Sequence, residues 1–260
     1  MDTLFELKNI YFYSEDFEIL TDITLSIPKG KCTIIMGSSG CGKSTLLKVL
    51  AGIYPPDLGI MAFNNQDFID LSYKELNEYR KNSGFVFQDS ALWENTSIYE
   101  NIALPLKYHF YEHNSDEIKT KIMNLINFIG FTDSVKLRPA RLSAGEKKVI
   151  SFIRAIITEP EILFMDDPVQ SMDNQFTKKI IEMLKDMKEK NYTLVAVSQD
   201  TQLVSLLADY LVIMRKGRIV IEGDFDMVKH CNEPYVRDIL SKVLGEVASY
   251  DTDLLDLLNE

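Results

Sequence analysis

Cysteine is scarce: Cys32, Cys41 and Cys231 are odd in number, widely spaced and form no CxxC pair. That excludes a disulfide framework and a cysteine-based zinc site, and it fits a reduced cytosol. Long apolar runs are missing too, since no stretch approaches the roughly 18 uncharged apolar residues of a membrane span. The opening Met1-Asp-Thr-Leu-Phe-Glu has no basic region followed by an apolar one. The expected location is therefore cytoplasmic, with no direct membrane insertion, and any membrane role must come through a partner. Basic charge is short as well. With 28 Lys and Arg against 39 Asp and Glu, the net charge is −11, which argues against wide, sequence-independent binding of nucleic acid and against adhesion to anionic lipid. No internal repeat or low-complexity linker is present.

What is present is a chain of 260 residues with an ordinary apolar fraction and plentiful aromatics. It can bury a substantial core, as one large domain or two closely joined lobes. The stretch around which the rest is arranged is Gly37-Ser38-Ser39-Gly40-Cys41-Gly42-Lys43-Ser44-Thr45. An apolar run, Cys32 to Met36, leads in, and a helix-like run, Thr45 to Ala51, leads out. This is the strand, loop and helix context that gives the pattern G-x-x-x-x-G-K-[ST] its meaning as a phosphate-binding loop. Gly37, Gly40 and Gly42 can take backbone angles that let consecutive amides turn inward around a triphosphate. Lys43 can reach the β- and γ-phosphates, and the Ser44 hydroxyl can ligate Mg²⁺.

Along the chain, Leu4 to Tyr13 and Ile23 to Ile27 read as strands, the second closed by the turn Pro28-Lys-Gly30. Tyr11, Phe12 and Tyr13 stand where a base could stack, and they serve equally well as ordinary strand residues. A weak strand at Ile60 to Phe63, a polar helix at Tyr73 to Lys81 and a short strand at Gly84 to Phe87 lead to Gln88. From there to about Ala140 the composition is helical. Asn114 with Glu117 forms a capping pair, Ile118, Ile122, Leu125, Ile126 and Ile129 make one apolar stripe, and Gly130 ends it.

Leu142-Ser-Ala-Gly-Glu146 then opens a helix running through Ile156. Ser143 and Glu146 make a capping box; the same helix start, with the Ser143 hydroxyl and the Gly145 amide as donors, also reads as an outward-facing anion site. Ile162 to Asp166 is a buried strand ending in two carboxylates, Asp166 and Asp167. Asp166 suits a magnesium ion held through its water shell, and Asp167 can polarise an attacking water. Pro168 to Asp173 leads into a helix from about Asn174 to Lys190, buried through Phe176, Ile180, Ile181, Leu184 and Met187. Leu194 to Val197 is a further strand, followed by Ser198-Gln199-Asp200. Leu211 to Met214 and Arg218 to Ile221 read as a hairpin across Lys216-Gly217. Paired leucines at Asp251 to Glu260 suggest a short amphipathic segment that needs a surface.

Over about residues 4 to 230 this set resembles the ATP-binding-cassette (ABC) ATPases. Gly37 to Thr45 matches Walker A, Gln88 the Q-loop, Leu142 to Glu146 the signature, Ile162 to Asp167 Walker B, Pro168 to Asp173 the D-loop and Gln199 the switch. The resemblance implies an α/β P-loop NTPase fold with a RecA-like core, an antiparallel β lobe and an inserted helical lobe. It divides the chain into 1–87, the β lobe and P-loop part of the core; 88–158, the helical lobe with the signature helix; 159–230, the rest of the core; and 231–260, a tail that could contact a dimer partner. It also implies ATP and Mg²⁺ as cofactors and a head-to-tail homodimer, or a heterodimer with a second ABC ATPase. Ser143, Ala144, Gly145 and Glu146 would then face the nucleotide of the partner, with membrane-spanning subunits docked on the helical lobe. Ser44, Gln88 and Asp166 are the implied metal residues. Asp167, Gln199, Lys43 and Gln88 are the implied catalytic ones. The family's adenine-stacking position falls in strict register on Ser14, so the neighbouring Tyr13 is the candidate stacking residue. Phe87 to Leu106 resembles the ATPases of Mla/Mce-type lipid transporters and also the cell-division and lipoprotein-release ATPases, while Ala208 to Gly223 and Glu233 to Leu240 favour the Mla/Mce kind.

Three positions depart from the family pattern. Asp167 replaces the usual Glu, Gln199 the usual His, and Ala144 the first signature Gly. Shortening Glu to Asp withdraws the carboxylate by roughly 1.5 Å, and a misplacement of about 1 Å can cost on the order of a hundredfold in rate. Hydrolysis is therefore expected to be slow. A catalytically degenerate subunit with a regulatory or scaffold role is the alternative; a soluble ABC protein of repair or translation fits less well.

Overall fold

The computed structural model describes residues 2–15, 17–110, 114–131, 135–241 and 243. They fall into two compact units. One holds the described residues of Met1–Asp70 and Val195–Glu260, the other Leu71–Leu194.

In the first unit, β1 (Thr3–Ser14) and β2 (Phe17–Pro28) form an antiparallel pair. The second strand starts earlier than Ile23, the expected first residue. Next come β3 (Cys32–Gly37), α1 (Lys43–Leu50), β4 (Leu58–Phe63) and the two-residue β5 (Gln66–Asp67). Strands β2, β1, β4 and β5 lie side by side in that order, giving the expected antiparallel sheet. The unit closes with α7 (Thr201–Leu207), β9 (Tyr210–Arg215), β10 (Arg218–Asp224) and α8 (Phe225–Lys229). A further helical stretch runs over 234–241. Strand β3 is buried at every position, which is why its sequence is a continuous apolar run rather than an alternating one. It pairs in parallel with β9, Gly37 opposite Met214, and β9 turns back into β10 across Lys216-Gly217.

The second unit contains α2 (Tyr73–Lys81), β6 (Ser83–Val86), α3 (Ile98–His109), α4 (Ser115–Ile129), α5 (Ala144–Ile156), β7 (Ile162–Asp166) and α6 (Asn174–Glu189). Strand β8 (Thr193–Val197) crosses the boundary between the units. Strands β6 and β7 are parallel neighbours. Helices α2, α3, α4 and α5 all start on complete capping boxes: Ser72 with Glu75, Ser97 with Glu100, Asn114 with Glu117, and Ser143 with Glu146. Each satisfies two amides that the helix itself cannot. Helix α4 ends at Gly130 in the left-handed region, as the sequence indicates. The buried face of α6 differs at one position, where Thr177 is buried and Phe176 only half-buried.

Candidate nucleotide site and its supports

The loop between β3 and α1 is built on three left-handed glycines, Gly37 (φ 149°), Gly40 (φ 74°) and Gly42 (φ 100°). A Cβ on Gly37 would run into the Met214 carbonyl, and one on Gly42 would stand 3.0 Å from the Ile19 carbonyl. Glycine is therefore required by contact as well as by angle. Gly42 is the N-cap of α1, which has no side-chain cap and no acidic residue in its first turn. An anion can therefore take the amides that Ser or Asp would occupy elsewhere. Lys43 lies back across the loop, its Nζ donating to the carbonyls of Gly37 (3.0 Å) and Ser38 (2.9 Å). Gln199, just beyond β8, donates from Nε2 to the same Gly37 carbonyl at 3.0 Å. Ser38, Ser39 and Gly40 are exposed, Cys41 is buried, and Lys43, Ser44 and Thr45 are half-buried.

Tyr13 is 41% exposed, with its amide tied to the Asp57 carboxylate at 2.7 Å. Its neighbour Phe12 stacks on Tyr54, ring centroids 5.3 Å apart. Of the three aromatics, Tyr13 is thus the one whose ring is most available to a base.

In the second unit Asp166 is buried at the end of β7, and Asp167 follows with φ 47° immediately before Pro168. Two tight turns come next, closed by Gln170 N–H on the Asp167 carbonyl (3.2 Å) and Met172 N–H on that of Val169 (3.3 Å). They set the Ser171 carbonyl directly over Gly145, where a Cβ would collide with it. Gly145→Ala is accordingly expected to lower the unfolding free energy by about 1–3 kcal/mol, the usual cost of overpacking, read by urea titration. Ala144, by contrast, is exposed, so its methyl costs nothing within the chain. Ser143 Oγ accepts the Glu146 N–H at 3.2 Å, and the Glu146 carboxylate accepts the Ser143 N–H at 2.7 Å. The capping reading of this pair is realised. Its carboxylate puts negative charge at the helix start and weakens the pull on an incoming phosphate.

Gln88 itself is exposed, but its backbone is gripped. Lys148, buried on α5, donates from Nζ to the carbonyls of Phe87 (2.8 Å) and Gln88 (2.6 Å) and lies 3.5 Å from that of Asp166. Arg154, two turns on, donates to the carbonyls of Ser90 and Ala91 at 2.9 and 2.8 Å. Buried Asn101 on α3 donates to the Trp93 carbonyl (3.1 Å) and accepts its N–H (2.8 Å). Motif reading missed Lys148; its signal was a lysine at helical spacing from Phe152 and Ala155, on the apolar side of α5. Among the described residues no group of three or more His, Cys, Asp and Glu could hold a metal. A magnesium ion here would rest on hydroxyl, water and phosphate oxygens with few carboxylates, a set that suits it.

A model of the ABC transporter family matches residues 20–170. The chain belongs to that family. It is an ATP-binding, ATP-hydrolysing subunit of an ABC transporter. The ATPase is 34% identical over 222 residues to the intermembrane phospholipid transport ATP-binding protein MlaF of Haemophilus influenzae, covering 85% of this chain and 83% of that one. It is 32% identical over 231 residues to a methionine import ATP-binding protein of Bacillus cereus, covering 86% and 68%. A solved dimeric bacterial ABC transporter cassette superposes with a TM-score of 0.78 at 26% identity, covering 85% of this chain and 98% of that one. The fold is thus the mixed α/β ABC ATPase fold, with a RecA-like core and antiparallel and helical lobes. No helix among the described residues is long and apolar enough to cross a membrane.

Proposed function

We propose that this ATPase drives the movement of lipid or another hydrophobic substrate through separate membrane-spanning subunits, from the inner face of the membrane. Two ATPase subunits, two copies of this chain or one copy and an orthodox second ATPase, close head to tail on ATP and reopen after hydrolysis. The observation that carries the nucleotide half of this reading is the Gly37–Thr45 loop, whose glycines and uncapped helix start offer amides to an anion while Lys43 donates to the Gly37 and Ser38 carbonyls. In this reading Ser38 to Thr45 hold the phosphates, Tyr13 stacks on the base, and Ser44, Gln88 and Asp166 serve Mg²⁺, which neutralises charge on the transferring phosphoryl group. Ser143, Ala144, Gly145 and Glu146 meet the partner's nucleotide. Asp167 orients the attacking water and Gln199 hydrogen-bonds the γ-phosphate.

The lipid half draws on the Phe87 to Leu106 stretch and on the phospholipid transport relative. Methionine and sulfate import relatives of similar identity make a polar cargo the competing reading. Extraction in mild detergent, identification of the companions, and reconstitution of the complex in vesicles with labelled phospholipid decide between them. ATP turnover that responds to methionine or sulfate and ignores phospholipid sinks the lipid assignment.

The helical unit carries a groove of about 420 Å³ lined by Phe87, Trp93, Leu104, His109 and Arg154. We assign it to the membrane subunit. Trp93 is 57% exposed on a backbone fixed by Asn101, the rigid aromatic anchor that interface hot spots favour. Trp93→Ala is expected to weaken co-purification with the membrane subunits by about 2 kcal/mol or more and to leave ATP affinity of the isolated subunit unchanged. The terminal leucines, proposed as a contact with a neighbouring ATPase, lie outside the described residues.

A further inference from the structure

We propose that Tyr235, on the helical stretch after α8, is a positioning residue for the nucleotide loop. Its hydroxyl accepts the Ser38 N–H at 3.0 Å and donates to the Met214 carbonyl at 2.9 Å. The Ser38 hydroxyl stands 3.3 Å from the Tyr235 hydroxyl oxygen. Met214 is the β9 partner of Gly37, and its carbonyl is the group that forbids a side chain at that glycine. One phenol thus ties the first turn of the loop to the strand beside it. At the opposite edge of the same peptide group, the Gly37 carbonyl takes Lys43 Nζ and Gln199 Nε2, both at 3.0 Å. The Gly37–Ser38 peptide plane is therefore fixed from both sides, by three side chains from separate parts of the chain.

The phenol is itself well held. Arg215 lies over its ring, 4.8 Å from the centroid. The helix carrying it is pinned by the buried Val236 and Leu240, and the Glu233 carboxylate caps it by accepting the Val236 N–H at 2.7 Å. The inference rests on reading this loop as the nucleotide site. When a phosphate draws Lys43 off the two carbonyls, Tyr235 and Gln199 remain to keep the peptide oriented. Without the hydroxyl, the Ser38 amide can rotate toward water, and the fraction of loops ready for ATP falls, with apparent affinity falling in proportion.

The experiment uses the full chain. Tyr235→Phe keeps the ring on Arg215 and removes only the hydroxyl. It is expected to raise the ATP dissociation constant and KM about three- to tenfold, the worth of one hydrogen bond, with kcat unchanged. Hydrogen exchange at the Ser38 amide should speed up while the β9 amides stay protected. Lys43→Ala separates the two layers of the argument: if it binds ATP normally, the loop reading itself fails. If Lys43→Ala loses ATP but Tyr235→Phe keeps full affinity and slow Ser38 exchange, the role of Tyr235 is refuted alone. A drop in kcat with KM unchanged also overturns it.

Discussion

Changing Asp167 to Glu together with Gln199 to His should raise saturated ATP turnover by up to about a hundredfold, the penalty typical of a reacting group displaced by about 1 Å. In the proposed mechanism Asp167, one methylene shorter than the Glu usual at this position, brings its carboxylate short of the water that the longer side chain would orient. Gln199 can hydrogen-bond a γ-phosphate but cannot carry positive charge, as a protonated His can. The backbone adds a reason for Asp that the sequence does not display. Asp167 sits at φ 47° immediately before Pro168, a left-handed conformation that Asp and Asn accept more readily than Glu. The double variant should therefore be faster and also less stable, by about 1 kcal/mol. Phosphate release at saturating Mg-ATP, measured for the unaltered chain, each single change and the pair, tests this alongside thermal unfolding. Brisk hydrolysis by the unaltered protein, with nothing gained from the pair, rules out a slow site.

The elements legible in advance were those whose burial and capping are written locally. Strands β3, β7 and β8 are covered throughout, so each appears as an unbroken apolar run between turn residues. Helices α4 and α5 announce themselves through Asn114 with Glu117 and Ser143 with Glu146, because a capping box needs only two residues at fixed spacing. The loop Gly37–Thr45 is legible for the same reason, its chemistry being carried by consecutive backbone groups. Less visible were α7, α8 and the helical stretch at 234–241, all short and lacking a repeating apolar stripe long enough to register. Tyr235 was unreadable as a loop support because its partners Ser38 and Met214 are brought to it by the β3–β9 pairing and not by sequence. The Pro234 that follows Glu233 was the available clue to a helix start there.

Lys148→Met is expected to cut ATP turnover on the order of a hundredfold and to cost about 2–4 kcal/mol of stability, the range for stripping a buried charged donor from its acceptors. The proposed phosphate contacts come from the Gly37–Thr45 loop, so ATP affinity should change little. The lysine stands at the junction of three motifs: it projects from the signature helix, holds the Phe87 and Gln88 carbonyls, and lies close to the Asp166 carbonyl. Burial pushes its ammonium below the usual lysine range, and the carboxylates of Asp166, Asp167 and Asp89 act in the opposite direction. Without the ammonium, both Gln88-loop carbonyls lose their donor, and the backbone that aims Gln88 can shift. Lys148→Arg separates charge from shape. It keeps the charge, but a planar fork cannot place donors where a compact ammonium does, so turnover should recover only in part while stability recovers further. Removing the amine also leaves the negative charge of Asp166, Asp167 and Asp89 less compensated. Full turnover and an unshifted melting temperature in Lys148→Met would show that the amine is incidental and that Arg154 and Asn101 suffice to hold the loop.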